Sequence, residues 1–264
     1  MSENTKRILT GLIGIPVLVF VILKGGIFFL IFSLITCAIA LWEFFTLFDK
    51  NNSRPFKIVS ILLSLCLIVL YYFDVSNFYL LFLLYLPLLA TLEIFRRKQL
   101  NPFNLILSVF GFIYVTIPFL LMNSLVNNPI FNFVIYIMIL VWVCDTFAYF
   151  GGKKFGKHKL SSVSPKKTIE GSLIGLIATL VASFVFHFLF PDKIFIYDAI
   201  AIGLIAGVFG QIGDLFESLL KRYNDVKDSS HIIPGHGGVL DRFDSLIFVT
   251  PIVFVYIVFF KNLF

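Results

Sequence analysis

Residues 26–47 read GIFFLIFSLITCAIALWEFFTL, and this stretch decides the fold class because Glu43 is its only charged residue. A helix needs roughly 20 predominantly apolar residues to cross the hydrocarbon core of a bilayer. The rest of the chain is similar: of 264 residues, 59% are apolar and 14% charged, against ~45–50% and ~25% in soluble domains. With a mean hydropathy of +0.98, this composition argues against a water-soluble domain, a disordered chain and a disulfide-stapled secreted scaffold.

Eight other apolar runs resemble this one. The nine runs are 8–23, 26–47, 56–73, 77–94, 103–125, 130–150, 171–190, 195–219 and 245–260. Continuous apolar runs favour helices, because the strands of a membrane barrel show short alternating segments instead. We therefore predict an all-α polytopic membrane protein: a bundle of about nine transmembrane helices forming a single integral-membrane domain, residues 1–264. The three cysteines lie inside the runs and are interpreted as buried small hydrophobes.

The basic residues between the runs predict the orientation of the bundle. Of the 21 lysines and arginines, 18 fall in alternate gaps, which include the two longest, 151–170 and 220–244. Basic residues in short loops stay on the cytoplasmic side of a membrane. We therefore predict a cytoplasmic N-terminus, and the chemistry-bearing loops on the same side in the cell membrane.

The eighth run carries small residues and one acid on a single helical face, spaced by 4, 3 and 4 residues. They are Gly203, Gly207, Gly210 and Asp214. Small residues let a neighbouring helix approach closely, and we expect Gly171 and Gly175 of the seventh run to face them. By contrast, Glu43 and Glu93 each stand alone near a helix end and are interpreted as acids that reach the lipid headgroups.

The segment after the eighth run, residues 218–244, reads SLLKRYNDVKDSSHIIPGHGGVLDRFD. It supplies cations, a glycine-rich loop whose backbone N–H groups can approach a ligand, and acids at the start of the ninth helix. Carboxylates from two helix ends, Asp214 with Asp241 and Asp244, form a hard oxygen site that suits Mg²⁺. Lysines and arginines around such a site suit phosphates. The pattern predicts phosphoryl or nucleotidyl transfer, which depends largely on positioning and charge neutralisation.

Residues 145–171, DTFAYFGGKKFGKHKLSSVSPKKTIEG, form the second polar segment. Its glycines at 151 and 156 followed by Lys157 superficially fit a phosphate-binding P-loop. However, His158 stands where serine or threonine is needed, and an apolar run precedes the motif instead of a strand. We interpret the segment as a cationic loop, with Lys166 and Lys167 placed just before a helix.

Both segments resemble phosphatidate cytidylyltransferases (CDP-diacylglycerol synthases). The residues that match the family's defining motif are Ser218, Lys221, Arg222, Lys227, Asp228, His236, Gly237, Gly238, Asp241, Arg242 and Asp244. Those that match in the other segment are Asp145, Thr146, Ala148, Tyr149, Ser164, Pro165, Lys166, Lys167, Glu170 and Gly171. The resemblance covers roughly the C-terminal half of the chain.

The resemblance implies transfer of CMP from CTP to phosphatidic acid, giving CDP-diacylglycerol and pyrophosphate. It also implies Mg²⁺, a second cation such as K⁺, a homodimer and no nucleic-acid partner. Asp214 and Asp241 would be metal ligands, with Asp244 a further ligand or a supporting acid. The expected catalytic residues are Lys221, Arg222, Lys227, His236 and Arg242. The expected substrate-binding residues are Asp145, Ser164, Lys166, Lys167, Gly237 and Gly238.

Two other functions fit parts of the pattern. A CTP-dependent lipid kinase of the dolichol or phytol type would transfer the γ-phosphate and release CDP, and the His-Gly-Gly and Asp-Arg-x-Asp matches argue against it. A transporter would also bury acids among packed glycines, but near the middle of the membrane. In this sequence the polar residues lie at one rim. His236 remains open between a structural role and proton donation.

Overall fold

The computed structural model describes residues 3–49, 53–96 and 100–261, and the regular structure in those ranges is helical apart from two isolated β-bridges. The helices are α1 (Glu3–Lys24), α2 (Gly26–Phe48), α3 (Lys57–Tyr72), α4 (Leu80–Ile94), α5 (Phe103–Gly111), α6 (Ile117–Val126), α7 (Phe133–Phe155), α8 (Ile169–Leu189), α9 (Ile196–Tyr223) and α10 (Leu240–Tyr256). One π-helical turn, Phe112–Thr116, joins α5 to α6, and another, Ile257–Lys261, extends α10. Each predicted run therefore corresponds to one continuous helical segment, which confirms the all-α prediction.

Some residues used to orient the bundle cannot be placed. Lys50, Arg97 and Lys98 lie outside the described residues, and only the backbone of Lys6 and Arg7 is described.

Six of the helical segments are long and apolar enough to cross a membrane. They are Gly26–Phe48, Phe103–Val126, Phe133–Phe155, Ile169–Leu189, Ile196–Tyr223 and Leu240–Lys261. Three shorter apolar helices, Thr10–Lys24, Lys57–Tyr72 and Leu80–Ile94, complete the set found in the described part of the chain. Large apolar side chains point outward from the helices, as lipid-facing residues would; Phe188, for example, is 76% exposed. The chain is a multi-pass membrane protein.

The chain divides into two compact units, and the first contains Met1–Ser124 and Asn224–Arg242. Its core includes a cluster of buried residues from α3, α4 and the first π-helical turn: Leu67, Tyr85, Leu89 and Phe112. Hydroxyl pairs tie the helices together beside this core, with Ser60 Oγ 2.6 Å from Tyr85 Oη and Ser64 Oγ 2.6 Å from Thr116 Oγ1. Such interhelical hydrogen bonds are typical of membrane bundles, where small polar residues pack between helices.

The second unit contains Leu125–Tyr223 and Phe243–Phe264, and small residues determine how its helices cross. A Cβ atom built on Gly171 would lie 2.6 Å from the carbonyl oxygen of Ala148, and one on Gly175 would lie 2.8 Å from that of Cys144. These glycines of α8 thus pack against α7. Our expectation that they face the glycines of α9 was wrong.

The glycines of α9 have other neighbours in the second unit. A Cβ on Gly207 would meet Leu176 Cδ1 of α8 at 2.6 Å, whereas one on Gly210 would make only ordinary contact with Val141 of α7 at 3.6 Å. Helix α8 therefore packs on two sides. Its own glycines allow close contact with α7, and its larger side chains fill the grooves beside the glycines of α9.

Helix boundaries differ from the predicted runs at the polar ends. Helix α7 continues through Gly151 and Gly152 to Phe155, because these glycines lie at the crossing with α8, where Ile174 would meet a Cβ on Gly151 at 2.8 Å. Helix α10 begins at Leu240, five residues before the predicted run. The cysteine prediction holds for Cys37 and Cys144, but Cys66 is exposed, because it lies away from the buried face of α3.

Candidate active site

Asp214, near the C-terminal end of α9, is held by two side chains of the second unit. Its Oδ2 atom forms a short ion pair with the ammonium group of Lys167, which lies just before α8. Its Oδ1 atom accepts a hydrogen bond from Ser218 Oγ, one turn along the helix, at 3.3 Å. The side chains of Lys167 and Asp214 are 28% and 30% exposed. The pair is therefore only partly buried.

Further charged side chains of the second unit interact with Asp214 or with one another. The negative charges of Asp145 on α7 and Asp214 on α9 both act on the carboxyl group of Asp244 on α10, as does the positive charge of Lys221. Lys221 itself donates to Glu217 Oε2 at 2.8 Å, and the Glu217 side chain is fully buried. The two residues are four apart on α9, so their side chains lie on one face of the helix. The second unit therefore carries carboxylates and lysines on the C-terminal halves of α7 and α9, just before α8 and near the start of α10.

The loop before α8 positions Lys167 through backbone hydrogen bonds. The Lys167 N–H donates to the carbonyl of Ser164 at 3.0 Å, and the Lys167 carbonyl accepts from the Leu160 N–H at 2.9 Å. Immediately after it, Thr168 caps α8, its Oγ1 accepting from the Gly171 N–H at 3.1 Å. Serine and threonine are favoured at this position because a helix begins with unpaired N–H groups. Lys167 therefore sits on a closed turn at a fixed helix start.

Glu170 binds the beginning of the same loop. Its carboxylate accepts the N–H of Lys157 at 3.0 Å and lies 2.6 Å from Nδ1 of His158. His158 thus helps to fold the loop. Lys166, the neighbour of Lys167, points into solvent.

In the first unit, a glycine-rich loop wraps around the carboxylate of Asp241. The Oδ2 atom of Asp241 accepts hydrogen bonds from the N–H of Ser229 at 2.9 Å, the Oγ of Ser229 at 2.8 Å and the N–H of Gly238 at 2.8 Å. Gly237 adopts a φ of 80°, a conformation that residues with a Cβ atom rarely take. A Cβ there would also lie 2.7 Å from Asp241 Oδ2. The motif's glycines therefore let the loop close on the carboxylate.

Glu43 of α2 is the residue that our sequence reasoning missed. It is 1% exposed, and its carboxylate binds the same loop. The four donors and their distances are Ser229 Oγ (3.1 Å), Ser230 Oγ (2.5 Å), Val239 N–H (3.0 Å) and Leu240 N–H (2.8 Å). The only signal available in the sequence was the isolation of one acid within an apolar run. The interpretation of Glu43 as a headgroup acid was wrong.

The sequence-predicted residues divide between the two units. The second unit holds Asp145, Ser164, Lys166, Lys167, Asp214, Lys221, Arg222 and Asp244. The first holds Lys227, His236, Gly237, Gly238, Asp241 and Arg242. Five of them are exposed: Asp145, Lys166, Arg222, Lys227 and Arg242. Nδ1 of His236 is buried and has no hydrogen-bond partner among the described residues.

The carboxylates of the second unit have the donor chemistry that a magnesium ion needs. No three or more histidine, cysteine, aspartate and glutamate side chains are grouped to hold a metal within residues 3–49, 53–96 and 100–261. Magnesium ions, however, are usually bound through one or two carboxylates together with substrate phosphates. Asp214 and Asp244 repel each other, and a divalent cation would relieve that repulsion. The donor set therefore fits Mg²⁺.

Apolar helices that carry carboxylates and lysines are consistent with a membrane-embedded nucleotidyltransferase, and the comparisons with known proteins show that class. The chain belongs to the cytidylyltransferase family, whose model matches residues 5–260. Three relatives are phosphatidate cytidylyltransferases. That of Staphylococcus haemolyticus is 34% identical and that of Staphylococcus saprophyticus 35%, each match covering 93% of this chain and 96% of the relative. That of Bacillus subtilis is 33% identical, covering 96% of this chain and 97% of the relative.

Proposed function

We propose that this chain is a phosphatidate cytidylyltransferase, which transfers CMP from CTP to phosphatidic acid and forms CDP-diacylglycerol and pyrophosphate. The observation that carries the proposal is the match to three proteins of that name over more than nine-tenths of the chain. The cluster of Asp145, Asp214 and Asp244 with Lys167 and Lys221 supports it. Transfer between phosphates requires this combination of metal-binding acids and phosphate-binding cations.

In the proposed reaction, a phosphate oxygen of the lipid attacks the α-phosphorus of CTP. A new P–O bond forms to the lipid, and the bond to the β-phosphate oxygen breaks in line, so that pyrophosphate leaves with the electron pair. No separate base is required, because a phosphate monoester with a second pKa of about 6 is already anionic near pH 7. The protein therefore has to bind, orient and neutralise charge.

The metal ligands predicted from the sequence stay our proposal: Asp214 and Asp241, with Asp244 as a further or supporting acid. When bound, Mg²⁺ neutralises and orients the phosphates; a second, monovalent cation such as K⁺ completes the proposed cofactors. Lys166, Lys167, Lys221 and Arg222 are assigned to the phosphates of the two substrates. Because Lys167 already pairs with the Asp214 carboxylate, it lies beside a proposed metal ligand and could bind a substrate phosphate there.

The remaining motif residues complete the assignment. We assign Lys227 and Arg242 to the phosphates as well, and Asp145 and Ser164 to substrate binding. The backbone of Gly237 and Gly238 is assigned to the same task. His236 is assigned to the reaction as a proton donor or as a structural group of the loop.

The topology that we propose has nine membrane crossings, with a cytoplasmic N-terminus and the active site facing the cytoplasm of the cell. It is supported by the alternation of basic residues between the helices. The proposed assembly is a homodimer, and nucleic acid is not a partner. C-terminal fusions test the topology: a fused alkaline phosphatase should be active and a fused fluorescent protein dark, because the C-terminus would lie outside. The opposite pattern would contradict nine crossings.

Labelled CTP tests the activity and separates it from its alternatives. Purified protein in detergent receives phosphatidic acid, Mg²⁺ and CTP labelled on either the α- or the γ-phosphorus. We expect the α-label in the lipid phase and the γ-label in pyrophosphate. A lipid kinase would instead place the γ-label in lipid and release CDP, and a transporter would leave both labels in CTP. Either result would refute the proposed function.

A further inference from the structure

We infer that Glu43 is a positioning residue, which holds the glycine-rich loop and through it the Asp241 carboxylate in the geometry that metal binding requires. This inference rests on the proposed function, because that function makes Asp241 a metal ligand. Glu43 lies on α2, nearly two hundred residues from the loop in sequence, yet both belong to the first unit.

Each carboxylate oxygen of Glu43 accepts a hydrogen bond from a backbone N–H group. Oε1 accepts from the N–H of Val239 at 3.0 Å and Oε2 from the N–H of Leu240 at 2.8 Å. These two N–H groups lie at the start of α10, where a helix has donors without intrahelical partners. A carboxylate also interacts favourably with the positive end of the helix dipole. Glu43, although it lies on α2, therefore caps α10. This cap explains why α10 begins at Leu240.

The hydroxyl of Ser229 connects this cap to Asp241. Its Oγ atom lies 3.1 Å from Glu43 Oε2 and 2.8 Å from Asp241 Oδ2. A serine hydroxyl has one proton and can donate to only one carboxylate at a time. Glu43 and Asp241 therefore share one donor, and a change at either carboxylate alters the hydrogen bonding of the other.

The packing around Gly238 leaves no room for a side chain. A Cβ atom on Gly238 would collide with Ser229 Oγ and would lie 2.6 Å from both oxygens of Glu43. The backbone N–H of the same glycine donates to Asp241 Oδ2 at 2.8 Å. Glu43 and Asp241 thus both contact the turn at Gly238, so a displacement of one carboxylate changes the surroundings of the other.

Glu43→Gln is the informative substitution because it keeps the size of the side chain. An amide has one acceptor oxygen and one NH₂ group. Since each Glu43 oxygen accepts a backbone N–H, the new NH₂ must face either Val239 or Leu240, donor against donor. Glu43→Asp keeps both acceptor oxygens on a shorter side chain. It should therefore retain part of the Mg²⁺ affinity that Glu43→Gln loses.

The matched control is Glu93→Gln, another buried glutamate in the same unit. Glu93 is 6% exposed, and its Oε1 atom accepts from the Asn101 N–H at 2.7 Å and from Asn104 Nδ2 at 2.9 Å. It therefore binds a different loop, which contains none of the proposed site residues. The control removes the same charge and an equally buried carboxylate.

The experiment measures how Mg²⁺ alone raises the melting temperature of the full-length protein in detergent, and then how Mg²⁺ activates it with CTP and phosphatidic acid. Loss of a residue that orients a metal ligand typically weakens metal binding by about 10–100-fold. We expect Glu43→Gln to raise the half-saturating Mg²⁺ concentration by about that factor in both measurements. Glu43→Asp should raise it less, and Glu93→Gln should leave it unchanged.

A merely structural role predicts a different result. It would reduce the amount of active protein at every Mg²⁺ concentration and leave the half-saturating concentration unchanged, and that outcome would overturn the inference. So would an equal shift in Glu93→Gln, or the absence of any Mg²⁺ effect on wild-type melting. If Glu43→Gln does not fold, Ser230→Ala, which removes one of the four donors, should produce a smaller shift in the same direction; no shift there would also overturn it.

Failure of the proposed function gives a separate signature. Wild-type protein that melts later with Mg²⁺ but forms no labelled lipid would refute cytidylyl transfer. The Glu43 inference would still be decided by the melting measurements alone, because these need neither CTP nor phosphatidic acid.

Discussion

At the scale of single residues, two neighbouring lysines that the sequence could not distinguish have different environments. Lys167 pairs with Asp214, and its backbone lies in a closed turn. Lys166 is exposed to solvent. The charge run alone assigned both to phosphate binding, whereas the contacts single out the one that lies beside a proposed metal ligand.

Asp214→Asn should therefore abolish product formation without preventing insertion into the membrane. The amide keeps the shape of the side chain but loses the charge that attracts both Lys167 and a cation. We expect at least a 100-fold loss of labelled CDP-diacylglycerol formation, with Asp192→Asn, an exposed acid of the same unit, as the control. Turnover near the wild-type rate would refute the metal assignment.

Lys167→Gln should reduce activity more than Lys166→Gln. We expect about a 10–100-fold loss for the first, as for other residues that support a metal site, and a loss at least tenfold smaller for the second. Both are measured as kcat with saturating phosphatidic acid and CTP. Equal losses would show that the ion pair with Asp214 has no special part in the reaction.

At the scale of helices, the crossing of α7 and α8 depends on glycines that leave no space between the backbones. A Cβ atom on Gly175 would lie 2.8 Å from the carbonyl oxygen of Cys144. Gly210 of α9, by contrast, has its nearest neighbour for such an atom at 3.6 Å. In membranes, where lipid is as apolar as the helix surface, such close packing is a main source of association.

Gly175→Ala should therefore destabilise the protein, and Gly210→Ala should not. The added methyl group of the first meets a backbone atom that cannot move away, and overpacking of this kind costs about 1–3 kcal/mol. The second gains helix propensity, worth about 0.8–1.0 kcal/mol. Melting temperatures in detergent measure both. A Gly175→Ala protein as stable as the wild type would show that α7 and α8 can move apart without loss of stability.

At the scale of the whole molecule, a buried ion pair in the second unit connects α9 to the end of the chain. Lys261 Nζ lies 2.7 Å from Asp198 Oδ2, with the two side chains 8% and 4% exposed. Tyr256 Oη donates to the other carboxylate oxygen at 2.9 Å, and the ammonium group lies over the rings of Phe133 and Phe195. Removing one partner of such a pair leaves an uncompensated charge in an apolar environment.

Lys261→Met should lower the stability of the protein by about 3–5 kcal/mol, the range for breaking a buried ion pair from one side. The double variant Asp198→Asn with Lys261→Met should be less destabilised than the sum of the two single variants, because no lone charge remains. Denaturation in detergent measures each. Strictly additive effects would show that the two groups do not interact.

The sequence by itself determined the features that depend on local patterns. Runs of about 20 apolar residues specify helices because the bilayer sets that length, and all nine runs are helical. The residues of the two polar segments, with their order and chemistry, pointed to the cytidylyltransferase family before any contact was known.

Only the tertiary structure decided which distant groups meet. Nothing near Glu43 indicates that it caps a helix that begins 197 residues later, because hydrogen-bond partners depend on how helices pack and not on sequence spacing. The same holds for Gly151 and Gly152, which look like a loop but continue α7, since glycine gives close helix contact as readily as chain reversal. Local patterns set the elements; packing between remote elements set the pairing of their side chains.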